Sequence, residues 1–298
     1  MDWELTFITK EDLKTHVRAT ISKYGEKLNS FDLKKFNSNL IDPIKFIFDK
    51  SVYHVTWEEI INSEIIRQRD KSNTNDIGYF HQNIFDYFAG CNVPDKGWDV
   101  IYQNPKGVIL PDGDVVSKVF VEVKNKHNTM NSAASSKTYM KMQNQLLADD
   151  DCACLLVEVI AKKSQNIKWE TTLDGDKVGH KRIRRVSMDQ FYGIVTGDEN
   201  AFYKLCMSLP GIITEVVNEG DNVEIPEDTV IAELRKVSEL YKDMPCDLAM
   251  AMAVYMLGFS TYSGFSESAS TFEYESEPMT LNRIYEYGKY MGEEIKRD

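Results

Sequence analysis

The sequence predicts a mixed α/β fold: a mixed β-sheet flanked by helices, with helical additions at the N- and C-terminal ends. Three observations lead there. Apolar residues recur at helical spacing through the first ~90 positions, β-branched runs with turn signals occupy Gly97–Lys126, and a continuous apolar run fills Cys152–Ala161. In order, TWEEIINSEIIRQRD places Trp57, Ile60, Ile61 and Ile65 on one helical stripe, and Thr56 with Glu59 fits a capping box at its start. KSNTND then reads as a polar turn, followed by a second, aromatic helix, IGYFHQNIFDYFAG, stopped by Gly90. WDVIYQ, GVIL and VVSKVFVEVKNK read as short antiparallel strands of a meander, separated by the turn signals NPKG and PDGD. AASSKTYMKMQNQLLADDD returns to helical composition before the buried strand CACLLVEVIA. The last ~100 residues are again mainly helical, with TYSGFSESASTFEYESEP as a loop, and no internal repeat is visible.

Composition sets the class. With 42% hydrophobic and 28% charged residues among 298, the chain is an ordinary globular one. Its start has neither a basic segment nor an apolar h-region, so no secretory signal is expected. LAMAMAVYMLGF is too short to span a bilayer and reads as a buried helix, which makes a cytoplasmic protein the expectation. Five cysteines without a CxxC pair read as reduced structural thiols. The net charge of −12 opposes polyanion binding, but its distribution is uneven. Lys162–Arg185 holds eight bases against three acids, whereas Glu215–Asp247 holds ten acids. Such polarity suits a chain that presents one face to a polyanion, and equally a merely solvated surface.

The run FVEVKNKHNTMN raises a chemical question, because Glu122 and Lys124 interrupt an otherwise apolar strand. Unpaired buried charges cost several kcal/mol, so a partner is required. On a strand, Val119, Val121 and Val123 share one face and Phe120, Glu122 and Lys124 the other. Asp99, which opens the run DVIY, completes a triangle if its strand pairs back onto Val119–Lys124. Two carboxylates and a lysine at a strand end suit Mg²⁺ and a positioned water, the components needed for phosphodiester hydrolysis. Asp95 and Asp112 compete for the first position, but Asp112 lies in the PDG turn and Asp95 in a loop.

The spacing Asp99…Glu122-x-Lys124 resembles the PD-(D/E)xK nuclease motif, with Trp98 in place of the usual proline. Read together, DKSNTNDIGYFHQNIF, GWDV and VEVKNKHNTMNS resemble type II restriction endonucleases of the group that cuts GGNCC-like sites, over roughly Glu58–Ala161. The resemblance implies a restriction-endonuclease-like core and Mg²⁺-dependent cleavage of double-stranded DNA. It also implies a homodimer acting at a near-palindromic G/C-rich site within a restriction–modification system. Asp99 and Glu122 would then bind metal and Lys124 would serve the water. A single nuclease domain over 1–298 is expected, helical over 1–90, with a catalytic core over 91–200 and helices again over 201–298.

Glu64, on the preceding helix, is a candidate further catalytic acid, or else a solvated partner of Arg67. His81 reads as a structural histidine. For DNA contact the candidates are Lys126, His127, Asn128 and Asn131 just after the strand, then Lys137, Lys141, Lys181, Arg182, Arg184 and Arg185. Glu158, inside LLVEVI, reads as a core ion-pair partner. Three alternatives remain: a structure-directed repair or recombination nuclease, a non-catalytic DNA-binding protein on the same fold, and an α/β protein in which Glu122 and Lys124 are only an ion pair.

Overall fold

The computed structural model describes residues 3–27, 30–127, 130–173, 175–220 and 227–260. In chain order the elements are α1 (Lys10–Lys27), α2 (Leu33–Asn37), α3 (Pro43–Tyr53), α4 (Trp57–Asn83), β1 (Cys91–Asn92), β2 (Val100–Ile109) and β3 (Val115–Lys126). There follow α5 (Ser132–Ala148), β4 (Cys152–Ile160), β5 (Asn166–Leu173), β6 (Asp176–Ser187), α6 (Met188–Thr196), α7 (Ala201–Glu219), α8 (Val230–Ser238) and α9 (Cys246–Phe259). They fall into two compact units, Met1–Tyr24 with Thr74–Asn222, and Gly25–Asn73 with Val223–Asp298.

The first unit is built on a six-stranded mixed sheet ordered β1-β2-β3-β4-β6-β5. β1, β2 and β3 pair antiparallel, β3 with β4 and β4 with β6 pair parallel, and β5 closes the edge antiparallel to β6. Strand alternation sends Val119, Val121, Ala153, Leu155, Val157 and Val186 to one face, where they pack with Leu13, Val17, Phe191, Tyr192 and Leu205 of α1, α6 and α7. On the other face Cys154, Leu156 and Ile183 meet Tyr139 and Met142 of α5 and Trp169 of β5. Helices therefore cover both sides, the arrangement of a restriction-endonuclease-like fold.

The second unit has its own core, in which Phe31, Leu33, Phe36, Phe46, Ile61 and Ile65 meet Val230, Leu234, Ala253, Val254 and Leu257. α9 is the apolar run expected to be buried. Among the described residues no helix is long and apolar enough to cross a membrane. All five cysteines are free. The capping box forms as expected: Thr56 N–H donates to Glu59 Oε2 at 2.8 Å and Glu59 N–H to Thr56 Oγ1 at 3.2 Å.

Two expectations about elements are corrected. KSNTND is not a turn: α4 runs unbroken from Trp57 to Asn83, because the segment holds no Pro or Gly and buries Asp76 on the helix. NPKG does not separate two strands either. It forms a bulge inside β2, where the register with β3 shifts between Gln103 and Val108 and Gly107 takes φ +85°. Most of the basic stretch 162–185 lies in the β5–β6 hairpin, with Gly175 at φ +95°. PDGD does turn the chain: Gly113 N–H donates to Leu110 O and Leu110 N–H to Asp114 O. The loop expected over 261–278 lies outside the described residues.

Candidate active site

The geometry starts from the β2–β3 register. Val100 pairs with Val121, and Asp99 N–H donates to Val121 O at 3.0 Å, so Asp99 sits across from Glu122. Asp99 Oδ2 in turn accepts from Val123 N–H at 2.7 Å, which ties the carboxylate to the strand that carries Glu122 and Lys124. Lys124 Nζ lies 3.6 Å from Glu122 Oε2. The structure thus brings Asp99, Glu122 and Lys124 together on the α5 side of the sheet. Asp112 and Asp95 are exposed, in the PDGD turn and a loop.

A second lysine completes the cluster. Lys141, one helical turn beyond Lys137 on α5, donates to Glu122 Oε1 and to Gly97 O. Its ammonium also lies 4.1 Å from the centre of the Trp98 ring. Trp98 is held by Phe120, with ring centroids 5.4 Å apart, and by its Nε1–H donating to Gln145 Oε1 at 3.3 Å. Trp98, immediately before Asp99, is therefore a platform under Lys141.

Electrostatics follow from this packing. Glu122 is 13% exposed and has an ammonium at each carboxylate oxygen. Burial raises the Asp99 carboxyl above its ordinary range, and the Glu122 charge adds to the rise. The Val123 N–H and the two lysines act in the opposite direction.

Next along the same face lies a buried ion cluster. Lys124 and Glu158 are register partners on the parallel strands β3 and β4. Glu158, 1% exposed, accepts from Arg185 Nε at 2.9 Å and is 3.0 Å from His127 Nδ1. Arg185 also donates to His127 O at 2.9 Å. Glu158 is thus the core ion-pair partner expected. His127, Met130, Ser135 and Arg185 line a pocket of about 200 Å³ beside this cluster.

The remaining candidates are dispersed. Lys126 and Lys137 are exposed. Asn131 caps α5, its Oδ1 accepting from Ala134 N–H at 2.8 Å, and Asn128 lies outside the described residues. Lys181 and Arg182 pair with Asp114 at the start of β3, the opposite end of that strand from Lys124. Arg184 is buried and donates to Asn166 Oδ1, Asn166 O and Lys181 O. Of that basic cluster only Arg185 joins the Glu158 ion cluster: its register partner on β4 is Leu156, itself the partner of Glu122, while Arg182 and Arg184 alternate to the other face and Lys181 is held by Asp114.

Glu64 lies in the second unit, where Arg67 and Gln68 hydrogen-bond its carboxylate. Burial works to raise that group, but those donors bring it below its ordinary value. His81 is half-buried, and burial with the neighbouring His16 pushes it down to about 4, so its ring is neutral at pH 7.

The part played by the Trp98 ring and the Gly97 carbonyl was missed by sequence reasoning, as was the contact of Lys141 with Glu122. Its one available signal was the Lys137–Lys141 spacing, which places two cations on one helix face just after the Glu-x-Lys strand. Among the described residues no group of three or more His, Cys, Asp or Glu converges that could hold a metal ion, and the candidate site has two carboxylates, Asp99 and Glu122.

Residues 5–218 match the model of the Eco47II restriction endonuclease family. The type II restriction enzyme Sau96I of Staphylococcus aureus is 32% identical over 214 residues, covering 69% of this chain and 78% of that enzyme. The type II restriction enzyme Eco47II of Escherichia coli is 28% identical over 226 residues, covering 72% of this chain and 89% of that enzyme. Carrying this sheet and spanned by that match over most of its length, the chain belongs to the Eco47II restriction endonuclease family.

Proposed function

We propose that this restriction endonuclease uses a PD-(D/E)xK site, in which Asp99 and Glu122 hold Mg²⁺ and Lys124 serves the attacking water. The chain would cleave both strands of double-stranded DNA as a cytoplasmic homodimer, at a near-palindromic GGNCC-like site in a restriction–modification system. The observation that carries the proposal is the Asp99–Glu122–Lys124 triangle at the β2–β3 junction. The GGNCC-like site is supported by the likeness of DKSNTNDIGYFHQNIF, GWDV and VEVKNKHNTMNS to that group of enzymes.

The residues fit a hard divalent cation. Asp99 and Glu122 supply oxygen donors of the right kind, and two neighbouring carboxylates gain most from a shared cation. Bound there, the cation would polarise the phosphoryl oxygens and stabilise the charge that develops on them.

The chain's own groups do the rest. Asp99, fixed by Val123 N–H, holds its carboxylate at the strand that carries Glu122. Lys124, about one-third exposed at the strand end, can hold a water in line with the scissile phosphorus and offset the negative charge of the transition state. Arg185, anchored by Glu158, and the exposed Lys126 and Lys137 are proposed backbone contacts. A single nuclease domain, with residues 91–200 as catalytic core, belongs to the same proposal. Glu64 is assigned no step.

Incubating the protein with unmethylated plasmid, with Mg²⁺ or with EDTA, and sequencing the fragment ends tests the proposal. Discrete Mg²⁺-dependent fragments sharing one end sequence are expected. Cleavage at scattered positions would favour a structure-directed nuclease, and intact DNA in every condition a non-catalytic binder.

A further inference from the structure

We infer that Lys141 is a resident counter-cation of the active site: in the DNA-free chain its ammonium sits where a divalent cation must bind, and it has to move aside before that cation enters. The inference rests on the reading of Asp99 and Glu122 as metal ligands.

Three groups converge on the Lys141 ammonium: Glu122 Oε1, the carbonyl oxygen of Gly97 and the face of Trp98. Two oxygens and an aromatic face make a cation-binding cradle. Trp98 is locked by Phe120 and Gln145, and Lys141 projects from a helix anchored by the fully buried Tyr139 and Met142. The position of the ammonium is therefore set by rigid surroundings.

Charge balance makes Lys141 the group to leave. Asp99 and Glu122 contribute two negative charges when ionised, and Lys124 and Lys141 two positive ones. The cluster is then neutral, so a dication entering without displacing anything would face two ammoniums within a few ångströms. Lys124 rises from the strand that carries Glu122, whereas Lys141 reaches across from α5 to Glu122 Oε1 and the Gly97 carbonyl. Swung outward, it lies on the helix face of the exposed Lys137, one turn away, where both ammoniums can meet a DNA phosphate. The same lysine would thus neutralise the acid pair before the metal arrives and join the DNA-facing surface afterwards.

The test is Mn²⁺ binding to the DNA-free full chain, read from the free-ion EPR signal, for wild type, Lys141→Gln, Lys141→Met, Lys141→Arg and Glu122→Gln. Thermal melting checks that each variant folds. Removing one ammonium beside the site should tighten Mn²⁺ binding roughly tenfold in Lys141→Gln and in Lys141→Met. Lys141→Arg keeps the charge and should stay within about twofold of wild type. Unchanged or weaker binding in both neutral variants, with binding still lost in Glu122→Gln, overturns the counter-cation role and leaves the metal site standing. Binding that survives Glu122→Gln overturns the metal-site reading and this inference with it.

Discussion

At the scale of single residues, a lysine beside an acid pair can be catalytic or merely neutralising, and the two roles differ in what its removal costs. For Lys124 the first role predicts that Lys124→Ala slows cleavage roughly 10²–10⁴-fold while DNA binding is largely kept. Cleavage assays beside a gel-shift titration check it, and unchanged cleavage would remove Lys124 from the mechanism. His81 supports a pH prediction of another kind. Its folded value near 4 lies below the ordinary 6.5 because the ring is buried near His16. As pH falls from about 6.5 towards about 4, the unfolded chain takes up a proton that the native state refuses, so stability present at neutral pH is lost across that window. His81→Gln should recover on the order of 1–3 kcal/mol of that acid-dependent loss. Urea unfolding at pH 7 and pH 4.5 measures it, and an equal pH slope in the variant would exclude His81 as the source.

Among elements, the sheet decides which charges meet. The parallel register of β3, β4 and β6 lines up Lys124, Glu158 and Arg185 on one face, although they are spread over 62 positions of the chain. Glu158→Ala would leave Arg185 and His127 without their buried carboxylate, a loss of about 3–5 kcal/mol. Denaturant midpoints of Glu158→Ala and Glu158→Gln test this, with the amide retaining some of the stability through its carbonyl acceptor. Equal midpoints for wild type and Glu158→Ala would mean that the cluster does not support the fold. The Trp98–Lys141 contact is likewise a product of packing between an element and a loop. Sequence spacing alone relates Lys141 to its own helix and not to the segment before β2.

For the whole molecule, charge polarity along the sequence does not carry over intact into space. Glu215 and Glu219, members of the acidic run, pair with Lys10, Lys14 and Arg18 of α1, and Asp228 pairs with Arg69. Of the basic run, Lys181 and Arg182 pair with Asp114 and Arg184 is buried. Much of the apparent polarity is therefore consumed in holding elements together. The proposed near-palindromic recognition site calls for two active sites related by symmetry, so the protein is expected to sediment at twice its chain mass of 34.3 kDa. Sedimentation velocity at micromolar concentration, with and without a DNA duplex, measures this. A monomer in both conditions would require sequential nicking instead.

The sequence by itself determined the fold class, the strand that carries the acid and lysine, the capping box on α4 and the buried helix α9. Each of these depends on local periodicity or on a turn or cap spanning few residues, and such signals survive without knowledge of the neighbours. It also pointed to Asp99 over Asp95 and Asp112 as the acid opposite Glu122, because only Asp99 leads directly into a strand. Tertiary structure alone decided that KSNTND stays helical, that NPKG is a bulge, and that 166–187 pairs as a hairpin at the sheet edge. It also decided which of ten candidate DNA-contacting residues are occupied elsewhere. Those outcomes depend on which partners a backbone or side chain finds across the sheet, and register with a distant strand is not written in local spacing.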